Sequence, residues 1–187
     1  MSNTASTMLP LGTQAPDFRL PDVTTNRVVS LADVNQGHGV LVMFICAHCP
    51  YVKHVERELA RLGHDYMPRG MGIVAISSND AVAYPSDAPP ALATQARTLG
   101  FPFPYLYDES QSVARAYDAA CTPDFFLFGP DKTLVYRGQL DDSRPSTTRP
   151  VTGHDLRAAL DAVLTGQPVS ADQVPSIGCN IKWRRDV

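Results

Sequence analysis

The feature that most constrains this chain is the apolar run Val40-Leu41-Val42-Met43-Phe44-Ile45, which passes at once into Cys46-Ala47-His48-Cys49-Pro50. Consecutive apolar residues without alternation read as a strand covered on both faces. Beyond Pro50 the period changes. Val52, Val55, Leu59 and Leu62 fall at helical spacing, with Lys53, Glu56, Arg57 and Arg61 on the wet side. The order is therefore buried strand, two cysteines spaced by two residues, then helix. It places a dithiol at a helix N-terminus, where unpaired amides and about half a positive charge favour an anion.

Pro50 decides which cysteine sits there. Proline is tolerated at the first helical position because the N–H it lacks has no intrahelical partner. Pro50 in that position makes Cys49 the N-cap, with the amides of Tyr51 and Val52 available to its sulfur. A helix beginning at Cys46 would put Pro50 where its missing N–H removes the first intrahelical bond. Cys49 is the expected attacking thiolate and Cys46 its partner about one turn upstream. Only the thiolate is nucleophilic, and an unperturbed thiol of pKa about 8.5 is mostly protonated at neutral pH. His48, if protonated, would stabilise a neighbouring thiolate and make the pair more oxidising; a partly exposed histidine without a role is the competing reading. Two buried, inert thiols are a second alternative, which the position at a helix start argues against. Half of a metal site, completed by Cys121, Cys179 or His48, is a third.

The 187 residues suit one domain with additions. Hydrophobic content of 44% and charged content of 19% are globular values that allow a core. With a net charge of −3 and no basic stripe, nucleic acid is not an expected partner. The cluster Lys182, Arg184 and Arg185 reads as solvated. Residues 40–46, the longest apolar run, are too few to cross a bilayer, and residues 1–7 lack the basic and apolar segments of a signal peptide. No membrane and a cytoplasmic location are the expectations. Four cysteines in a reducing compartment are expected to be catalytic, metal-binding or buried rather than structural disulfides.

The remaining pattern predicts a loose N-terminus over residues 1–9, a domain over 10–166 and a tail over 167–187. Short strands and turns are expected between residues 11 and 31. The first helix should run over 50–62 and stop at Gly63. Residues 72–77 read as a second buried strand, completing a βαβ unit. A loop over 79–90 precedes a helix over 90–99 that ends at Gly100. Asp108 is placed to cap a helix over 109–117. Residues 124–128 and 133–137 read as a hairpin through Gly129-Pro130-Asp131-Lys132. Thr152 and Asp155 resemble a capping box opening a final helix that ends at Gly166. Asp141, Asp142 and Arg144 read as a charged, solvated turn.

These residues resemble the thioredoxin-like superfamily, most closely its peroxiredoxin-like redoxin branch, the alkyl hydroperoxide reductase and thiol-specific antioxidant group. The carriers are Gly12-Thr13-Gln14-Ala15-Pro16-Asp17-Phe18 with Leu20, residues 44–50, and Thr122-Pro123-Asp124-Phe125-Phe126. The resemblance implies a thioredoxin-like α/β fold: a central mixed β-sheet flanked by helices, with an N-terminal β extension and a C-terminal tail. It makes Pro123 the counterpart of the cis-proline beside a thioredoxin dithiol, and Thr122 the residue that faces substrate. A backbone edge there can hold a partner as an added short strand.

The chain departs from both patterns. Counted from Phe44, the thioredoxin nucleophile falls on Cys49 and its second cysteine on Val52. The threonine or serine that peroxiredoxins carry three residues before their peroxidatic cysteine is Cys46 here, and no arginine accompanies Cys121-Thr122-Pro123. This favours dithiol–disulfide exchange, with Cys49 attacking and Cys46 resolving, no cofactor, a protein or small-molecule disulfide as substrate, and a thioredoxin-type protein or small thiol as reductant. A thiol peroxidase acting on peroxide is the runner-up, and a metal-binding or thiol-sensing interaction protein the third reading. Gly178-Cys179-Asn180-Ile181-Lys182-Trp183 matches a C-terminal motif of dithiol members of the same branch. Cys121 and Cys179 are accessory thiols in this reading, each either resolving an intermediate or packing, with Trp183 as the anchor of the tail.

Overall fold

The fold is taken from a computed structural model that describes residues 3–184. The apolar run forms β4 (Val40–Phe44), every residue of it buried. It lies parallel to β5 (Gly72–Ser77), which is parallel to β6 (Tyr105–Tyr107). On its other side β4 is antiparallel to β8 (Asp124–Phe128), and β8 to β9 (Leu134–Tyr136). The result is a mixed five-stranded sheet in the order β6-β5-β4-β8-β9.

Side chains on β4 alternate between two cores, which is why the run carries no polar residue. Leu41 and Met43, with Ile45 beyond them, enter a core shared with α2 (Pro50–Tyr66), α3 (Pro89–Leu99) and α5 (His154–Leu164). Val40, Val42 and Phe44 enter the opposite core, closed by the short helices α1 (Leu31–Val34) and α4 (Ser112–Ala116). The expected short strands before them are the hairpin β2 (Arg19–Pro21) and β3 (Val28–Ser30).

Several local expectations are corrected. Helix α2 does not stop at Gly63 but continues to Tyr66. The glycine is needed for packing: a Cβ there would lie 2.5 Å from Pro102 Cγ. Asp108 does not cap a helix at residue 109. Its carboxylate accepts the Ala114 amide and the Ser78 hydroxyl, and α4 starts at Ser112 behind Gln111. The Thr152–Asp155 capping box does not form. Gly153, at φ +67, is the N-cap of α5, and the Thr152 and Gly153 amides donate to Asp141 at 2.7 and 2.6 Å. Asp141 is consequently buried and ties down a loop; only Asp142 of that turn pairs outward, with Arg149. Arg144 is likewise held within the turn, donating to the Asp141 and Ser143 carbonyls.

The two ends meet in a second, small sheet. Asn3–Ala5, expected to be loose, is strand β1. It pairs antiparallel with β10 (Ile177–Asn180), which pairs in turn with β7 (Cys121–Thr122). Beyond β10, the Lys182 amide donates to Asn79 Oδ1 and the Lys182 carbonyl accepts Gln111 Nε2. Trp183 lies under the Arg115 guanidinium, 4.5 Å from ring centre to Cζ, as an anchor should. Of the basic cluster, Arg184 reaches Glu109 and Asp80; Arg185 falls outside the described residues. No helix among the described residues is long and apolar enough to cross a membrane.

Candidate active site

Cys49 is the N-cap of α2, with Pro50 at the first helical position, as the proline argument requires. Its sulfur makes no capping hydrogen bond to the helix amides, although the Val52 amide lies near enough to favour its anion. It points across the sheet, 3.2 Å from the Thr122 carbonyl oxygen and 2.9 Å from the Cys179 sulfur. Its pKa is lowered to about 5. The Cys46 thiol, hydrogen-bonding to the Cys49 sulfur, is the largest cause; burial opposes it, while the Cys179 thiol, the Val52 amide and Thr122 reinforce it. Cys46 moves the opposite way. Hydrogen bonding to the Cys49 anion, burial and the Asp87 charge hold its thiol protonated far above the usual range. Its sulfur also lies 3.5 Å from Thr122 Oγ1. The two thiols are therefore shifted in opposite directions, Cys49 down and Cys46 up.

Both sulfurs are covered. Cys46 and Cys49 are each 0% exposed, and Cys179 is 4% exposed. The alternative of buried thiols is met in burial; at Cys49 the partners outweigh the rise in thiol pKa that burial brings, and at Cys46 they add to it.

His48 does not face the Cys49 sulfur in any hydrogen bond. Its Nδ1 pairs with Asp87 Oδ2, and its ring stacks on Tyr84 at 5.7 Å between centroids. Asp87 is the residue that sequence reasoning missed. Fully buried, it accepts the Ala47 and His48 amides on Oδ1 at 2.9 and 3.0 Å, and Asn79 Nδ2 on Oδ2 at 2.7 Å. One carboxylate thus fixes the backbone between the cysteines. Asn79 lies two residues past β5, the parallel neighbour of β4, and loops at the carboxyl ends of adjacent parallel strands converge. That was a usable signal for Asn79; Asp87, inside a Pro- and Ser-rich loop, offered none.

Cys46, His48 and Asp87 present a sulfur, a nitrogen and an oxygen within 4.8 Å of one another. Among the described residues this is the set that could take a metal ion, and it differs from the one expected: it keeps Cys46 and His48 but holds Asp87, and leaves out Cys49, Cys121 and Cys179. Both Asp87 oxygens are already occupied by donors, so a cation would have to displace them. Cys121 is buried, its sulfur 3.5 Å from the Pro123 carbonyl, and burial pushes its thiol well up. Thr122–Pro123 is a cis peptide bond. The Thr122 edge, expected to be open to a partner strand, is taken by β10, with Cys179 opposite Thr122.

A mixed sheet between helices, a cysteine pair at the start of the helix after the central strand, and a cis-proline beside it define a thioredoxin-like protein. The thioredoxin domain of a Bacteroides vulgatus thiol-disulfide oxidoreductase shares this fold at 20% identity, with a TM-score of 0.58 over 69% of this chain and 88% of that one. Residues 11–137 match the AhpC/TSA family, and the chain belongs to it. A Mycobacterium tuberculosis protein named "Putative peroxiredoxin Rv2521" is 31% identical over 116 residues, 62% of this chain and 68% of its own. The crystal structure of an uncharacterized conserved protein from Geobacillus kaustophilus is 58% identical, with a TM-score of 0.98 over 100% of this chain and 99% of that one. That likeness takes in β1 and β10 along with the rest of the fold.

Proposed function

We propose that this protein is a thiol–disulfide oxidoreductase in which Cys49 attacks and Cys46 resolves. The observation that carries this reading is the placement of Cys49 at the N-cap of α2, its sulfur 3.2 Å from the Thr122 carbonyl oxygen and 2.9 Å from a second thiol; the opposed shifts of the pair, Cys49 lowered to about 5 and Cys46 raised, support it. An anionic Cys49 attacks one sulfur of a protein or small-molecule disulfide and forms a mixed disulfide. Charge then leaves Cys49, the cause that held the Cys46 proton is removed, and Cys46 displaces the second substrate sulfur. The protein disulfide is returned to the dithiol by a thioredoxin-type protein or a low-molecular-weight thiol in a reducing, cytoplasmic setting. No cofactor enters. Thr122 and Pro123 position the substrate at the β7 edge, which requires β10 to move aside. His48 and Asp87 act as positioning residues for the loop between the cysteines.

Family membership and the mycobacterial relative's name favour one second reading, a thiol peroxidase in which Cys49 becomes a sulfenic acid and Cys46 condenses with it. The largest influences on the Cys49 sulfur are thiols, a backbone amide and Thr122, with no guanidinium among them, which weighs against fast peroxide activation. The test is to supply the reduced protein with a small disulfide and with hydrogen peroxide in parallel. Reduction of the disulfide without matching peroxide consumption, abolished in Cys49→Ser, is expected. Rapid peroxide turnover abolished by the same substitution would select the peroxidase, and disulfide reduction that survives Cys49→Ser would overturn both.

A further inference from the structure

Cys179 has a placement that a two-cysteine centre leaves unused. Its sulfur stands 2.9 Å from that of Cys49, across 130 positions of sequence. Several contacts hold it there. On one side of it, Ser176 Oγ donates to the Pro123 carbonyl at 2.7 Å and the Ser6 amide donates to the Ser176 carbonyl at 2.9 Å. On the other, the Ile181 amide donates to the Ala120 carbonyl and the Lys182 amide to Asn79. Between them, Gly178 brings the strand so close to β7 that a Cβ would lie 2.0 Å from the Thr122 carbonyl oxygen. Strand β10 thus lies on the Thr122 edge as an added strand, presenting its own cysteine to Cys49 as a bound partner strand would present one.

We infer that Cys179 is a third redox thiol of this centre, closing a disulfide with Cys49 when the protein is oxidised. This rests on the reading of Cys49 as the attacking thiolate and gives it a second resolving partner besides Cys46. With β10 displaced, the Cys49 thiolate attacks a disulfide R–S–S–R′; an S–S bond to R forms and R′S⁻ leaves. When β10 pairs again with β7, Cys179 gives up its proton and attacks the Cys49 sulfur. The Cys49–Cys179 bond forms and RS⁻ leaves. The substrate disulfide gains two electrons from the two cysteines; the Cys179 proton passes to one released thiolate and the other takes its proton from solvent. In the reduced protein burial and the adjoining Cys49 anion push the Cys179 thiol up to about 12. The second restraint vanishes once Cys49 is in a disulfide. Strand pairing and resolution are then one movement.

The experiment oxidises native wild type, Cys46→Ser and the double variant Cys46→Ser/Cys179→Ser with oxidised glutathione, blocks free thiols and maps linked peptides by mass spectrometry. Cys46→Ser is expected to close a Cys49–Cys179 link and retain no glutathione, whereas the double variant stops as a glutathione adduct on Cys49. An adduct that persists on Cys49 in Cys46→Ser overturns the inference while leaving Cys49 as the attacking thiol. Should Cys46→Ser not fold, the wild-type map decides: a Cys49–Cys179 peptide supports the inference and an exclusive Cys46–Cys49 peptide overturns it. No reaction at Cys49 in any chain overturns the reading of Cys49 and this inference with it.

Discussion

Cys46 and Cys49 stand three positions apart and their thiols are shifted in opposite directions, Cys49 down and Cys46 up, with the influence of each on the other the largest cause. The ultraviolet absorbance of thiolate is therefore expected to rise in a single step centred near pH 5 and to lose that step in Cys49→Ser. The same shift bears on stability. The folded protein binds its Cys49 proton less tightly than the unfolded chain, whose ordinary value is 9.0, so this contribution is complete above pH 9 and is lost as pH falls toward 5. Asp124 has the opposite sign. Burial raises its carboxyl from 3.8 to about 6, and Oδ1 has no hydrogen-bond partner among the described residues. Its contribution is complete below pH 3.8 and is lost as pH rises through about 6. That rise in pKa corresponds to about 3 kcal/mol. Asp124→Asn should become more stable relative to wild type on going from pH 4 to pH 8, as read by denaturant unfolding at each pH. A constant difference across that range would rule out a buried carboxylate as its cause.

Elements differed sharply in how far the sequence exposed them. β4, β5 and α2 were readable because long apolar runs and helical spacing leave one way to bury them, and α3 because a proline opens it and Gly100 closes it. The Pro50 argument located the N-cap because it rests on one missing hydrogen-bond donor. β1 and β10 were not readable: Asn3-Thr4-Ala5 and Ile177-Gly178-Cys179-Asn180 are short, and one reads as polar while the other shows no clean alternation. Their pairing depends on a chain path that no local pattern records. Gly178 is the position most sensitive to that path. Gly178→Ala should cost about 1–3 kcal/mol through overpacking and should abolish the slow hydrogen exchange of the β10 amides while leaving that of β4 intact. Unchanged protection of β10 would mean that the close approach to Thr122 is not what holds the strand.

For the whole molecule, the sheet between two cores supplies the rigidity and the small terminal sheet supplies the cover. The cysteine pair was legible from its place after β4. Its burial was not, because the covering strand comes from the far end of the chain. Asp87 was invisible for a related reason: its partners Ala47 and His48 lie 40 and 39 positions away, and only the folded loop aims the carboxylate at them. Core and cover should separate experimentally. Leu59→Ala, deep in the α2 core, should cost about 2–5 kcal/mol in unfolding free energy yet keep the ionisation step of Cys49. Gly178→Ala should instead speed alkylation of Cys49 at least tenfold at neutral pH, about 1.4 kcal/mol in the opening equilibrium. Equal alkylation rates in Gly178→Ala and wild type would show that reagent reaches Cys49 by another route.

The pairing of Asn3–Ala5 with Ile177–Cys179 also has a practical side. An affinity handle or fusion partner attached at either extremity hangs from the very ribbon that shutters the reactive sulfur. Kinetics recorded with such an appendage will report its leverage on that ribbon together with the chemistry, and preparations tagged at opposite extremities should disagree with one another until the appendage is cut away.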